Sequence, residues 1–128
     1  MFKECYEIIE MNLTHFNTSN ITAMIGVFQD CKKLKYLDIS NIDTSKVTNM
    51  GVMFSGCYTL ISLVLSSFNI SSCTNIGTIF KGCSSLKSIN ISHFNTSIMT
   101  SVDNLFNGFS NLTSVDLAYF EWSKIVYH

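Results

Sequence analysis

Apolar positions recur along this chain at one fixed interval. Phe2, Phe28, Phe54, Phe80 and Phe106 stand 26 residues apart, and so do Cys5, Cys31, Cys57 and Cys83, with Phe109 in the fifth place. Leu13, Ile39, Leu65, Ile91 and Leu117 keep the same period, as do Phe16, Ile42, Phe68, Phe94 and Phe120. No insertion breaks the register. A constant period of this size marks a stacked repeat architecture, in which each unit buries its apolar side only against its neighbours. Residues 1–128 therefore read as one repeat-array domain.

Residues 34–59, "LKYLDISNIDTSKVTNMGVMFSGCYT", show one unit. Leu37 and Ile39 alternate with Tyr36, Asp38 and Ser40, which predicts a short strand with one face inward. "NIDTS" is a cluster of turn and cap formers. Val47, Met50, Phe54 and Cys57 then follow at steps of three, four and three, which predicts one to two turns of helix. Gly56, Gly82 and Gly108 fall where such a helix wants a left-handed cap.

The expectation is an α/β array of about five rungs, each with one short parallel strand and one short helix joined by a right-handed crossover. Strands are expected near 11–14, 36–40, 62–66, 88–92 and 114–118, and helices near 20–29, 46–56, 72–82 and 98–108. A parallel β-helix, with the second segment also extended, is the alternative.

Composition narrows the function classes. The chain is 47% hydrophobic and 13% charged, with a net charge of −1. Its eight basic residues are all lysine, and Lys32, Lys33 and Lys35 form the one basic cluster. Nucleic acid is a poor fit, because phosphate neutralisation and base reading both lean on clustered cations, arginine above all. No apolar run approaches the about 20 residues of a membrane span. The opening "MFKECYEIIEMN" holds three acids and does not read as a signal peptide. Met1 falls in the column of Val27 and Met53, so the chain is expected to be a segment of a longer array.

Side chains with chemical potential are spread by the repeat rather than gathered. The cysteine ladder reads as buried thiols, since residues stacked in register point the same way and a disulfide needs a near-perpendicular torsion. No CxxC or His-rich pairing suggests a metal. His15 and His93 share a column three rungs apart, about 14 Å at strand spacing. Glu10 and Asp38 on adjacent rungs could approach the separation of an inverting glycosidase pair, but on an open face without a pocket to raise either pKa. Asn-x-Ser/Thr occurs at Asn12, Asn17, Asn20, Asn69, Asn90, Asn95 and Asn111, mostly as a by-product of the repeat. Turn hydrogen bonding accounts for these residues.

The pattern "LxxLxIS-x-F-[ND]-T-S-x-[IV]-T-x-M-x-x-MF-x-x-C" resembles the 26-residue repeat of BspA-like leucine-rich repeat surface proteins. The resemblance runs over the whole chain. It implies a leucine-rich-repeat-like solenoid in a cell-surface or secreted protein linked to adhesion, with host or matrix proteins as partners. Local departures are Val64 in a column of Asn and Asp, Phe109 for Cys, and "EWSKIVYH", which drops the Thr-Ser and Met positions and reads as a degenerate cap.

The functional expectation is a non-enzymatic scaffold, without cofactor or metal, that binds protein through its strand face. The residues expected to carry binding are Tyr36, Asp38, Ser62, Asn90 and Asp116, with Tyr36 as the aromatic anchor. A purely structural spacer is the alternative. End-to-end self-association is a further expectation, because uncapped repeat ends invite pairing.

Overall fold

The computed structural model describes residues 2–117 and 120. Four three-residue strands form: β1 (Glu10–Asn12), β2 (Tyr36–Asp38), β3 (Ser88–Asn90) and β4 (Ser114–Asp116). β1 pairs with β2 in parallel, Glu10 opposite Tyr36 and Asn12 opposite Asp38. β3 pairs with β4 in the same 26-residue register. The repeat period is thus the pairing offset. Each rung lies on the one before it.

The expected fold class is corrected on two counts. Among the described residues there is no helix, and the strands make two two-stranded sheets rather than one of five. A right-handed leucine-rich-repeat-like solenoid with a strand and a helix in every rung is not what forms. The segment near 62–66 is not a strand. The last residues, 121–128, lie outside the described residues, as does the expected terminal cap.

The missing helices have a physical reason. Val47, Met50, Phe54 and Cys57 all point inward, each 0% exposed, so the three-four-three spacing correctly marked the buried face. Helical turns are not what puts them there. Tight turns do: the amides of Met53, Cys57 and Leu60 bond to the carbonyls of Met50, Phe54 and Cys57. Between the inward residues, Val52 (φ 52°) and Gly56 (φ 77°) adopt the left-handed conformation. The same two columns are left-handed in other rungs, at Gly26, Thr78 and Asn104 and at Glu4, Asp30, Gly82 and Gly108. Two left-handed residues four positions apart in each rung reverse the chain twice and end any helix before it propagates. The glycine column expected to cap helices is left-handed as foreseen, but it caps turns.

Turning the chain this way sends alternate amides along the stack. Met24, Gly26, Phe28 and Asp30 donate to the carbonyls of Asn49, Gly51, Met53 and Ser55. Met50, Val52, Phe54 and Gly56 repeat the pattern onto Asn75, Gly77, Ile79 and Lys81. Isolated parallel bridges link Ala23, Asn49, Asn75 and Ser101 in sequence. Exposed threonines reinforce this side: Thr48, Thr74 and Thr100 donate through both amide and hydroxyl to the carbonyl one rung below. These segments are turns, so the parallel β-helix alternative does not describe them either.

One core runs through the stack. Phe2, Phe28, Phe54 and Phe80 lie ring on ring, with centroids 5.5 to 6.0 Å apart and planes within 8°. Offset stacking of this kind adds to the area that the rings bury. Thr18 and Thr44 are buried polar clips, their hydroxyls donating to the carbonyls of Asp43 and Asn69 and accepting from the amides of the same residues.

Candidate binding face

The strand side presents two fully outward columns, one of Glu10, Tyr36, Ser62, Ser88 and Ser114, the other of Asn12, Asp38, Val64, Asn90 and Asp116. Every one of these residues is exposed, as period-2 alternation on a one-sided sheet requires. Three shallow grooves cross the face. The first holds Tyr36, Asp38 and Ser62, the second Ser62 and Asn90, and the third Asn90 and Asp116. Because neighbouring grooves share lining residues, they join into one open trough. All five residues expected to carry binding line it.

Local chemistry divides those five residues. The Oδ1 of Asp38 accepts both the amide and the hydroxyl of Ser40, at 3.1 and 2.8 Å. Asn12 does the same with Thr14, and Asn90 with Ser92. The column therefore holds side-chain turns that end each strand segment. The Ser40 hydroxyl, and after it the Ser40 amide, hold the Asp38 carboxyl below the usual carboxylate range. That is the opposite of what a general acid needs. The register also sets Glu10 opposite Tyr36 and Asp38 opposite Asn12, so the two acids lie diagonally across the sheet.

Apolar exposure on this side is concentrated in the first three rungs. Ile9, Tyr36, Ile61 and Val64 are 46–62% exposed, whereas the lining in the last two rungs runs through Ser88, Asn90, Ser114 and Asp116. Sequence reasoning named Tyr36 and marked Val64 as an apolar departure in an outward column, but missed Ile9 and Ile61 as surface features. The signal was present: Ile9 and Ile61 alternate with Lys35, Lys87 and Thr113 in one column, and an apolar residue in a solvated column calls for a reason.

Other candidate chemistry stays apart. His15 is an exposed turn residue. His93 Nε2 lies 3.0 Å from the Leu65 carbonyl oxygen. Since a carbonyl oxygen only accepts, His93 donates there through Nε2–H, and its ring meets Phe94 edge-on at 4.9 Å, which makes it a clip between rungs. Asn41 and Ser67, in the same column, reach the carbonyls of Thr14 and Ile39. Cys31, Cys57 and Cys83 are fully buried, and each thiol donates to the carbonyl of Phe2, Phe28 or Phe54. Burial pushes the Cys83 thiol up to about 12 and raises Cys57 further, so neither supplies a thiolate nucleophile at neutral pH. Among the described residues, no three His, Cys, Asp or Glu side chains gather as a metal site, and no helix is long and apolar enough to cross a membrane.

A family described as "Mycoplasma protein of unknown function, DUF285" has a model that matches residues 1–120. The chain belongs to the DUF285 family. No curated protein and no solved structure matches it. Membership in DUF285 is consistent with a BspA-like repeat, and it carries no activity with it. For this DUF285 chain, the trough and its lining are the basis of any functional reading.

Proposed function

We propose that this DUF285 chain is a non-enzymatic binding module that presents its strand-side trough to a protein partner. The observation that carries this reading is the trough itself: Tyr36, Asp38, Ser62, Asn90 and Asp116 all line one continuous open surface. Extended, shallow surfaces of this kind suit macromolecules better than small substrates, which favour enclosed pockets. The resemblance to BspA-like surface proteins supports a cell-surface or extracellular setting, with host or matrix proteins as partners.

The test is a panel of purified extracellular-matrix proteins, assayed against the wild type, Tyr36→Ala and Lys81→Ala. Tyr36 is 52% exposed on the face, and Lys81 is exposed on the turn side. Tyr36→Ala is expected to weaken capture by about 1–2 kcal/mol, as interface anchors commonly do, and Lys81→Ala to leave it unchanged. Loss that follows Lys81 instead contradicts the reading.

A spacer role is the second reading, and one observation favours it. Asn12, Asp38 and Asn90 are already engaged in their own turns. Absence of any partner across the panel moves the assignment to the spacer.

The first rung supports association between copies. Phe16 is 46% exposed, whereas Ile42, Phe68 and Phe94 in its column are at most 4% exposed. A cavity at that end is lined by Phe2, Leu13, Phe16, Ile21 and Phe28. Sedimentation that finds only monomer at high concentration contradicts association through this end.

A further inference from the structure

The first groove of the trough has a chemical bias. Its charged lining residues are Glu10 and Asp38, and among the described residues no lysine or histidine lines it. Tyr36 sits between them: Glu10 is its register partner on β1, and Asp38 is two residues on along β2, on the same face. Strand geometry sets these neighbours at about 5 Å and about 7 Å from Tyr36. A cation placed over an aromatic ring within about 6 Å of its centroid is attracted to the ring face. Here the same position lies within reach of two carboxylates.

The surroundings are apolar on one side and continuous in length. Val64, 62% exposed, lines both this groove and the next, and Ile61 lines the second beside it. From β1 to β4 the face spans four rung steps, roughly 19 Å, the length of about six extended residues. A small cation would use one end of such a surface. An extended chain would run along it.

We propose that the groove over the first three rungs docks an extended polypeptide segment that places a lysine or arginine between Glu10, Tyr36 and Asp38, with an apolar neighbour against Val64 and Ile61. This rests on the strand-face reading above and gives the partner its chemistry. Charge complementarity favours a basic partner segment over an acidic one, because like charges juxtaposed at a contact are repelled.

The experiment uses a fluorescein-labelled peptide, Gly-Leu-Ser-Arg-Leu-Ser-Gly, beside versions with Gln or Glu in place of Arg, read by fluorescence anisotropy. Asp38→Asn is a clean probe, since Asn12 and Asn90 hold the same turn in the same column. Asp43→Asn is its control: Asp43 is an exposed acid whose turn with Ser45 lies off the face, and Asn69 holds the equivalent turn. The Arg peptide is expected to bind most tightly and the Glu peptide least. Glu10→Gln with Asp38→Asn, or Tyr36→Ala, should weaken the Arg peptide on the order of tenfold, about 1.4 kcal/mol. Asp43→Asn should change nothing.

Three results overturn the inference in different ways. If the Gln peptide binds as well as the Arg peptide and is still lost with Tyr36→Ala, the face binds but not through a cation. Equal weakening by Asp43→Asn reduces the effect to the overall field of the chain. No binding of the Arg peptide also overturns it, while the matrix-protein panel still decides separately whether the face binds at all.

Discussion

The turn side and the strand side of this molecule are built from the same period, yet only one of them is continuous. On the turn side, alternate amides of residues 24–30 and 50–56, and those of Ile76, Thr78 and Gly82, bond to the next rung. On the strand side, pairing holds between β1 and β2 and between β3 and β4, but not across the middle rung. Ile61 donates to the Lys35 carbonyl, and among the described residues no backbone hydrogen bond then joins Ser62, Leu63 or Val64 to a neighbouring rung. Ser67 and His93 hold the flanking carbonyls instead. Hydrogen bonds on one side fix the stack, and the other side is left free to vary its chemistry.

The difference traces to particular residues of the middle rung. Asn12, Asp38 and Asn90 each close a turn with the hydroxyl residue two positions on. Val64, in the same column, has no side-chain acceptor for Ser66. Ile70 likewise stands where Thr18 and Thr44 clip the following rung, and hydrophobic packing at 4% exposure takes the place of those bonds. A repeat tolerates one weakened rung because stability is spread over nearest-neighbour contacts.

Breaking the turn side should have the largest effect. Phe54 is fully buried between Phe28 and Phe80, and Phe54→Ala is expected to cost about 3–5 kcal/mol in denaturant unfolding. Gly56→Ala should also be strongly destabilising, by about 2 kcal/mol or more, because the position is left-handed and a Cβ there would run into the Asp30 carboxylate. Wild-type stability in either variant would contradict the turn ladder as the main support.

Thr44→Val comes next. It keeps the shape while leaving the Asn69 amide and carbonyl without their partner, for an expected loss of about 1–3 kcal/mol. The same measurement on the exposed Thr48→Val should give a smaller loss, since water can replace its hydroxyl bond. Equal losses would mean that burial is not what makes the clip matter.

Val64→Asn should act in the opposite direction. It supplies the missing turn acceptor at a 62% exposed position and is expected to add about 1 kcal/mol, with new strand character at 62–64 by NMR chemical shift. An unchanged melting temperature and unchanged shifts would show that the break in the sheet has another origin.

The smallest effect concerns acid. Asp38 and Asp43 are both held below the ordinary carboxylate range by the hydroxyls and amides of Ser40 and Ser45. A depressed folded-state pKa contributes stability above the unfolded pKa and loses it as pH falls through the folded value. Acidification below the usual carboxylate range should therefore remove a slight stabilisation in the wild type and less of it in Asp38→Asn. Identical acid profiles would contradict these turns as the cause.

How much of this was legible follows from what a period encodes. The 26-residue columns gave the pairing register of β1 with β2 and of β3 with β4, the inward set Val47, Met50, Phe54 and Cys57, and the outward columns that line the trough. The conformation between inward residues was not legible. Steps of three and four are shared by a helix and by a run of tight turns, and only backbone angles at Val52 and Asp30, neither a glycine, tell them apart. A valine seldom adopts φ 52°, so no propensity argument would have placed it there. The strand break was half visible: Val64 stood out as a departure, but its effect depends on a turn bond that the sequence pattern does not display.

Amide hydrogen exchange followed by NMR tests the contrast most directly. Exchange reports local opening, and amides bonded within a continuous ladder open only with large parts of the structure. The amides of Val52, Phe54 and Gly56, each bonded to the next rung, should exchange slowest, near the rate set by global unfolding. Those of Ser62, Leu63 and Val64 should exchange far faster, although Ser62 follows Gly56 by only six residues. Comparable protection at the two sets, or protection that is stronger at 62–64, would contradict a stack held by its turn side.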